Sequence, residues 1–138
     1  MKVEIRRVYD APARLTFDAW ISPEGLKRWF SPGGNWTVEV GELEVTSGGK
    51  YDISLRSPEN HVWRVHGFYK EVIPARKLVF TWNTDDVKDT LVSVDFRETD
   101  GKTEVFLVHD LLPNQDQVDQ HDWAWRACLE NLQSKVLH

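Results

Sequence analysis

The residues best suited to chemistry gather at the end of the chain. The segment HDWAWRACLENLQSKVLH (121–138) holds His121, Trp123, Trp125 and Cys128, the only cysteine, within eight positions. A cysteine and a histidine can act as nucleophile and base if their side chains reach hydrogen-bonding distance. This segment reads as a helix, which separates the two by about 10 Å along its axis. That distance is too long, so Cys128 reads as a small buried hydrophobe. Helical metal ligands sit one turn apart, and no Cys or His pair has that spacing. No metal or other cofactor is expected.

The other candidates lie in segments that read as strands. His109 shares the phase of Val105 and Leu107 and points inward. It is either a core histidine satisfied by a hydrogen bond or a polar anchor in an apolar cavity. His66 shares a face with Phe68, and His61 shares the other face with Trp63; neither carries a motif. Tyr69 and Glu71 fall in phase with Trp63 and Val65. An inward glutamate among aromatics is a candidate acid or base. No Walker loop, G-x-S-x-G elbow or Gly-rich dinucleotide fingerprint is present.

These residues need elements to position them. VEIRRVY (3–9) alternates as a strand, and DAPARLTFDAW (10–20) reads as a helix. Asp10 is its expected cap, Pro12 suits its first turn, and Leu15, Ala19 and Trp20 have helical spacing. SPEGLKRWF (22–30) opens a second, short helix capped by Ser22 and ended by SPGG (31–34). Strands are expected at 36–45, 48–55, 61–72, 77–82, 90–98 and 102–111. Gly41 marks a bend in the first of these, and Asp100-Gly101 is a hairpin signal. A long helix closes the chain. Hairpin-linked strands with helices kept at the ends indicate an α+β domain, a single one at 138 residues. The expected sheet of six or seven strands must curl and have its concave face covered. Only the last helix is long enough to do so.

On that helix Val118, His121, Asp122, Trp125, Cys128, Leu129, Leu132 and Val136 form one stripe, and Trp123 points away from it. The stripe is either core or cavity wall. Trp123 is a partly covered surface residue or a contact for a partner or second copy, since aromatics favour interfaces.

Composition narrows the class. A formal net charge of −5 and scattered basic residues argue against nucleic acid or an anionic membrane. Acidic residues gather at Asp85, Asp86 and Asp89, and at Asp116, Asp119 and Asp122; both groups read as solvated surface. No signal peptide is read at the N-terminus and no stretch approaches a transmembrane span. With a single cysteine, these features set a cytoplasmic protein as the expectation. Aromatics stand out, with seven Trp, six Phe and three Tyr.

Several of these segments, in order, carry a resemblance. GFYKEVIPARKLVFTW (67–82), VYDAPARLTFDAWISPEGLKRWF (8–30), SGGKY (47–51) and WRACLENL (125–132) together resemble the family of activators of heat-shock-protein ATPase homologues. That family lies in the START-like, helix-grip superfamily also called SRPBCC. One departure is Thr46-Ser47, where the family often has Arg-Pro before the paired glycines. The resemblance implies a curved antiparallel sheet gripping the C-terminal helix around a cavity. It leaves the role open, because members are diverse: some bind lipids or other hydrophobic molecules, some are cyclases or aromatases, and the namesake co-chaperone stimulates a heat-shock ATPase.

The expected function is binding of a small, largely hydrophobic molecule between sheet and helix, as carrier or sensor. The expected cavity residues are Trp29, Tyr51, Ile53, Trp63, Val65, Tyr69, Phe80, Trp82, Val94, Leu107, His109, His121, Trp125, Cys128 and Leu129. Among them His109, His121 and Tyr69 are the candidate polar anchors. One alternative is a module that binds a chaperone or a second copy through Trp123. The other is a cyclase-like or hydrolase-like enzyme, for which the sequence shows no converging acid–base pair.

Overall fold

Period-two alternation of apolar and polar residues marks out most of the strands, and the fold follows from how those strands bend. The computed structural model describes residues 1–137. Strand β1 (Val3–Tyr9) leads into helices α1 (Ala13–Ile21) and α2 (Pro23–Trp29). Then come β2 (Thr37–Leu43), β3 (Lys50–Arg56), β4 (Val62–Ile73), β5 (Lys77–Trp82), β6 (Thr90–Thr99) and β7 (Lys102–Asp110). Helix α3 (Gln115–Asn131) follows, extended by a π-helical turn at Leu132–Val136. The sheet has seven strands in the order β1-β7-β6-β5-β4-β3-β2, all antiparallel. Among the described residues no helix is long and apolar enough to cross a membrane.

The helices are positioned by specific donors and acceptors. Asp10, the expected cap, does not cap α1, whose N-cap is Pro12 with no side-chain bond of its own. Instead the carboxylate of Glu98, on β6, accepts the Ala13 N–H at 2.7 Å. This ties the helix start to the sheet and places negative charge at its positive end. The buried residues of α1 are Ala13, Thr16, Phe17, Ala19 and Trp20, so Ala19 and Trp20 face inward as expected, whereas Leu15 is exposed. Ser22 caps α2 by accepting the Gly25 N–H. Gly25 lets the two helices touch, because a Cβ there would lie 2.9 Å from the Ala19 carbonyl.

The sheet bends along β4. Its first half pairs with β3 and its second half with β5. At Gly67, between the halves, a side chain would collide with the Thr81 carbonyl. A bulge follows between Tyr69 and Glu71. It resets the phase, so Val72 packs against the core and Glu71 is exposed. Glu71 is therefore not an inward acid or base. The paired glycines also have a steric reason. Gly48 has φ +87°, and a Cβ on Gly49 would run into the Glu44 carbonyl. In place of the family's Arg-Pro, Ser47 donates its hydroxyl to the Lys70 carbonyl at the β4 bulge.

The core lies between the concave face and the helices. Trp20, Trp29, Phe30, Trp82 and Trp125 form a continuous aromatic contact network. Trp29 is fully buried, and its indole donates to the Ala19 carbonyl at 2.9 Å.

Candidate functional site

A cleft of about 530 Å³ opens between α3 and the strands around the bend. Phe30 and Pro32 follow α2, Trp36 precedes β2, and Leu55, Trp63, Val65 and Trp82 come from β3, β4 and β5. The loop after β5 adds Thr84 and Asp86. Helix α3 supplies Gln117, Asp119, Gln120, His121, Trp123, Ala124, Trp125 and Cys128. Trp36 and Trp63 stack at 5.0 Å between ring centres and form one wall. The volume lies within the range of small-molecule sites, whose walls are apolar with a few polar groups.

Of the residues expected in a cavity, the structure brings Trp63, Val65, Trp82, His121, Trp125 and Cys128 to this cleft. It places Trp29, Tyr51, Ile53, Tyr69, Phe80, Val94, Leu107, His109 and Leu129 in the packed core, away from the cleft lining. Strand phase identified inward-facing positions, but close packing fills most of the concave face. Tyr69 and Tyr51 are buried against Phe80 and each other. Burial pushes both phenols up, and the Tyr51 hydroxyl donates to the Thr81 carbonyl. Trp123 does not face away from the cavity. The cleft opens on the flank of the helical stripe marked by Gln117, Gln120 and Ala124, where the Trp123 indole joins the rim. Phe30, Pro32, Trp36, Leu55, Thr84, Asp86, Gln117, Asp119, Gln120, Trp123 and Ala124 are the lining residues that sequence reasoning missed. The structure leaves Phe30 and Trp36, each the end residue of an expected element, just outside α2 and β2, and Pro32 in the turn between them, where no periodicity assigns a face.

The two inner histidines are locked by two tryptophans. The Trp125 indole donates to His109 Nδ1 at 3.1 Å. His109 then carries its proton on Nε2, which donates to Thr90 Oγ1 at 2.9 Å. The Thr90 hydroxyl in turn donates to the Trp82 carbonyl at 2.7 Å. His121 repeats the pattern: Nε2 accepts from the Trp82 indole at 3.2 Å, and Nδ1–H donates to the Gln117 carbonyl at 2.8 Å. Burial lowers the His109 pKa to about 3, with a smaller contribution from His121 beside it. Burial also lowers the His121 pKa, against the opposing pull of the Gln117 carbonyl and Asp86. Both rings are neutral, and all four ring nitrogens are engaged within the protein. Neither histidine offers a free nitrogen as a ligand anchor or base.

The remaining polar groups are few. Burial raises the Cys128 thiol to about 12, which makes it a poor nucleophile. The side-chain oxygen of Gln117, buried at the cleft, has no hydrogen-bond partner among the described residues. No group of three His, Cys, Asp or Glu that could hold a metal ion occurs among the described residues. A larger depression, about 770 Å³, lies on the outer face of the sheet. There Arg6, Arg76, Lys77 and Arg97 are offset by Asp95, Glu98 and Glu104, and Arg6 covers the Phe106 ring. Its lining mixes four basic with three acidic side chains and lacks the continuous aromatic wall of the smaller cleft, so the smaller cleft is the candidate site.

Comparisons with known proteins agree with this architecture. The family model described as Activator of Hsp90 ATPase homolog 1-like protein matches residues 10–136. No curated protein matches the chain. Among solved structures, a Chromobacterium violaceum protein superposes with a TM-score of 0.87 at 19% identity, covering 97% of this chain and 96% of that one. An AHSA1 protein from Silicibacter pomeroyi gives 0.82 at 22% identity, with 97% and 96% covered. An AHSA1-like protein from Aeromonas hydrophila gives 0.80 at 20%, with 96% and 90% covered. At these identities the likeness establishes the fold.

Proposed function

Because the chain belongs to the family of Activator of Hsp90 ATPase homolog 1-like proteins, with the helix-grip fold, we propose that it binds a small, largely apolar molecule in the cleft beside α3, as carrier or sensor. The observation that carries this reading is the cleft itself: about 530 Å³ of open space walled by Trp36, Trp63, Trp82, Trp123 and Trp125. A chain that only needed a core would close such a space, since apolar walls left in water forgo about 25 cal/mol per Å². An enzymatic role finds less support, because the inner histidines are held neutral and fully bonded and the thiol is protonated.

Native mass spectrometry of the gently purified protein tests the reading. Extra mass that denaturation removes, and that Ala124→Trp abolishes, is the expected result. Ala124 lines the cleft and is only partly buried, so an indole there fills the space without entering the core. Bound mass that persists in Ala124→Trp would move the site elsewhere. Leu129→Trp, by contrast, would overpack the core, because Leu129 is buried.

A second reading, a protein-binding module, is favoured by Trp123 alone, which is 63% exposed. A pulldown in which a chaperone is enriched and then lost with Trp123→Ala would support it.

A further inference from the structure

We propose that the ligand of this cleft is a flat organic cation, recognised by the aromatic walls together with the carboxylates of Asp86 and Asp119 at the rim. The inference rests on the ligand-binding reading and names the ligand's charge class. Three observations carry it. First, the apolar part of the lining is mostly Trp and Phe rings, and aromatic faces attract cations by roughly 0.5–2 kcal/mol each, whereas they gain nothing from an anion. Second, the only formal charges on the lining are the two carboxylates, and neither Lys nor Arg lines the cleft among the described residues. Neither Asp86 nor Asp119 has a salt-bridge partner among the described residues; Asp119 accepts a hydrogen bond from the neutral Gln115 amide at 2.8 Å, which leaves its charge in place. The net charge of −5 adds in the same sense at long range. Third, the lining residue Gln117 has a buried side-chain oxygen without a partner among the described residues, an acceptor that suits an N–H donor on the ligand once the side chain turns toward the cleft. The neutral histidines add no opposing positive charge. An anion of the same shape would meet two like charges and no donor cluster.

Three near-isosteric probes separate charge from shape: N-methylacridinium, acridine and acridine-9-carboxylate. They would be titrated into the full chain at neutral pH with tryptophan fluorescence as the readout. At low salt the expected order is cation, then neutral ring, then anion, with cation and anion differing by about tenfold or more. That ratio should shrink as salt shortens the Debye length to about 8 Å and below. Asp86→Asn with Asp119→Asn should cut the cation's advantage about fivefold and leave acridine unchanged. Both residues are exposed, so the double variant should fold. If acridine binds as tightly as N-methylacridinium, the charge class is wrong and the apolar cleft stands. If the cation's advantage survives the double change, the carboxylates are wrongly assigned. If cation binding survives Ala124→Trp, it reflects the acidic surface and the proposal falls. If none of the probes binds, the ligand-binding reading falls with it.

Discussion

The indole of Trp125 donates to Nδ1 of His109 across the seam between α3 and β7, over 3.1 Å. That single contact decides the tautomer of a fully buried imidazole and, through Thr90, links the helix to β6 and β5. Trp82 and His121 make the reciprocal link from β5 back to α3. The cleft is thus held open beside a hydrogen-bonded seam, where buried polar groups satisfy one another and leave little to spare for chemistry.

The seam makes stability depend on pH in a defined direction. His109 is neutral when folded, with a pKa of about 3, against 6.5 for the free side chain. Between those values the unfolded chain binds the extra proton, so stability is lost as pH falls below 6.5 and is full above it. The slope from one such group approaches about 1.4 kcal/mol per pH unit. Urea denaturation of the wild type between pH 7 and 5 should show it. His109→Leu should be less stable at pH 7 yet lose less on acidification. Equal pH dependence in the two proteins would refute the assignment. His121 contributes in the same direction, because its pKa is also lowered.

Glu98→Ala should cost about 1 kcal/mol, the usual worth of a helix N-cap, measured by thermal or urea unfolding. The carboxylate accepts the Ala13 N–H at 2.7 Å, and α1 has no side-chain cap of its own. Asp10→Ala should change stability far less. A larger loss at Asp10 than at Glu98 would contradict the structure.

That contrast shows what the sequence can disclose. Caps one turn from their helix were legible, as with Ser22, whereas the Glu98 cap spans 85 positions and leaves no local pattern. Most strands were legible from alternation, as in β1, β3, β6 and β7, whereas β5 (Lys77–Trp82) is buried almost throughout and read as a strand from its β-branched and aromatic residues between turns. Glu71 was misplaced because one bulge residue inverts every face beyond it. The cleft lining was legible only where a residue sat on a periodic element, as with Trp63, Val65, Trp82 and Trp125. Periodicity separates inside from outside, but it does not separate a filled interior from an open one. Tyr69 and His109 therefore read as cavity residues although they are core.

Cys128 lines the cleft yet is 95% shielded, and its thiol pKa is pushed up to about 12 against an ordinary 9.0. At pH 8 the thiolate fraction then falls about a thousandfold, before any steric protection is counted. Native protein should react with iodoacetamide more slowly than urea-unfolded protein by at least that factor. A native rate close to that of a free thiol would mean the cleft admits solvent to its base.

The glycine pair before β3 offers two neighbouring substitutions with opposite expectations. Gly48 has φ +87° and open space around its Cα, so its demand is conformational. Asparagine tolerates the left-handed region, and Gly48→Asn should cost less than about 1 kcal/mol. Gly49 is limited by space instead. Its Cβ would strike the Glu44 carbonyl, where the backbone holds Gly49 O to the Tyr69 N–H at 2.8 Å and Gly48 N–H to Tyr69 O at 2.7 Å. The obstacle is backbone, so it cannot rotate aside. Gly49→Ala should therefore cost about 1–3 kcal/mol or more and loosen the bend where β3 meets β4. Because Trp63 and Val65 line the cleft from the same strand as Tyr69, ligand affinity should fall with stability in Gly49→Ala and stay unchanged in Gly48→Asn. A stable Gly49→Ala protein with normal affinity would show that the tight approach of β3 to Glu44 is not what shapes this end of the cleft.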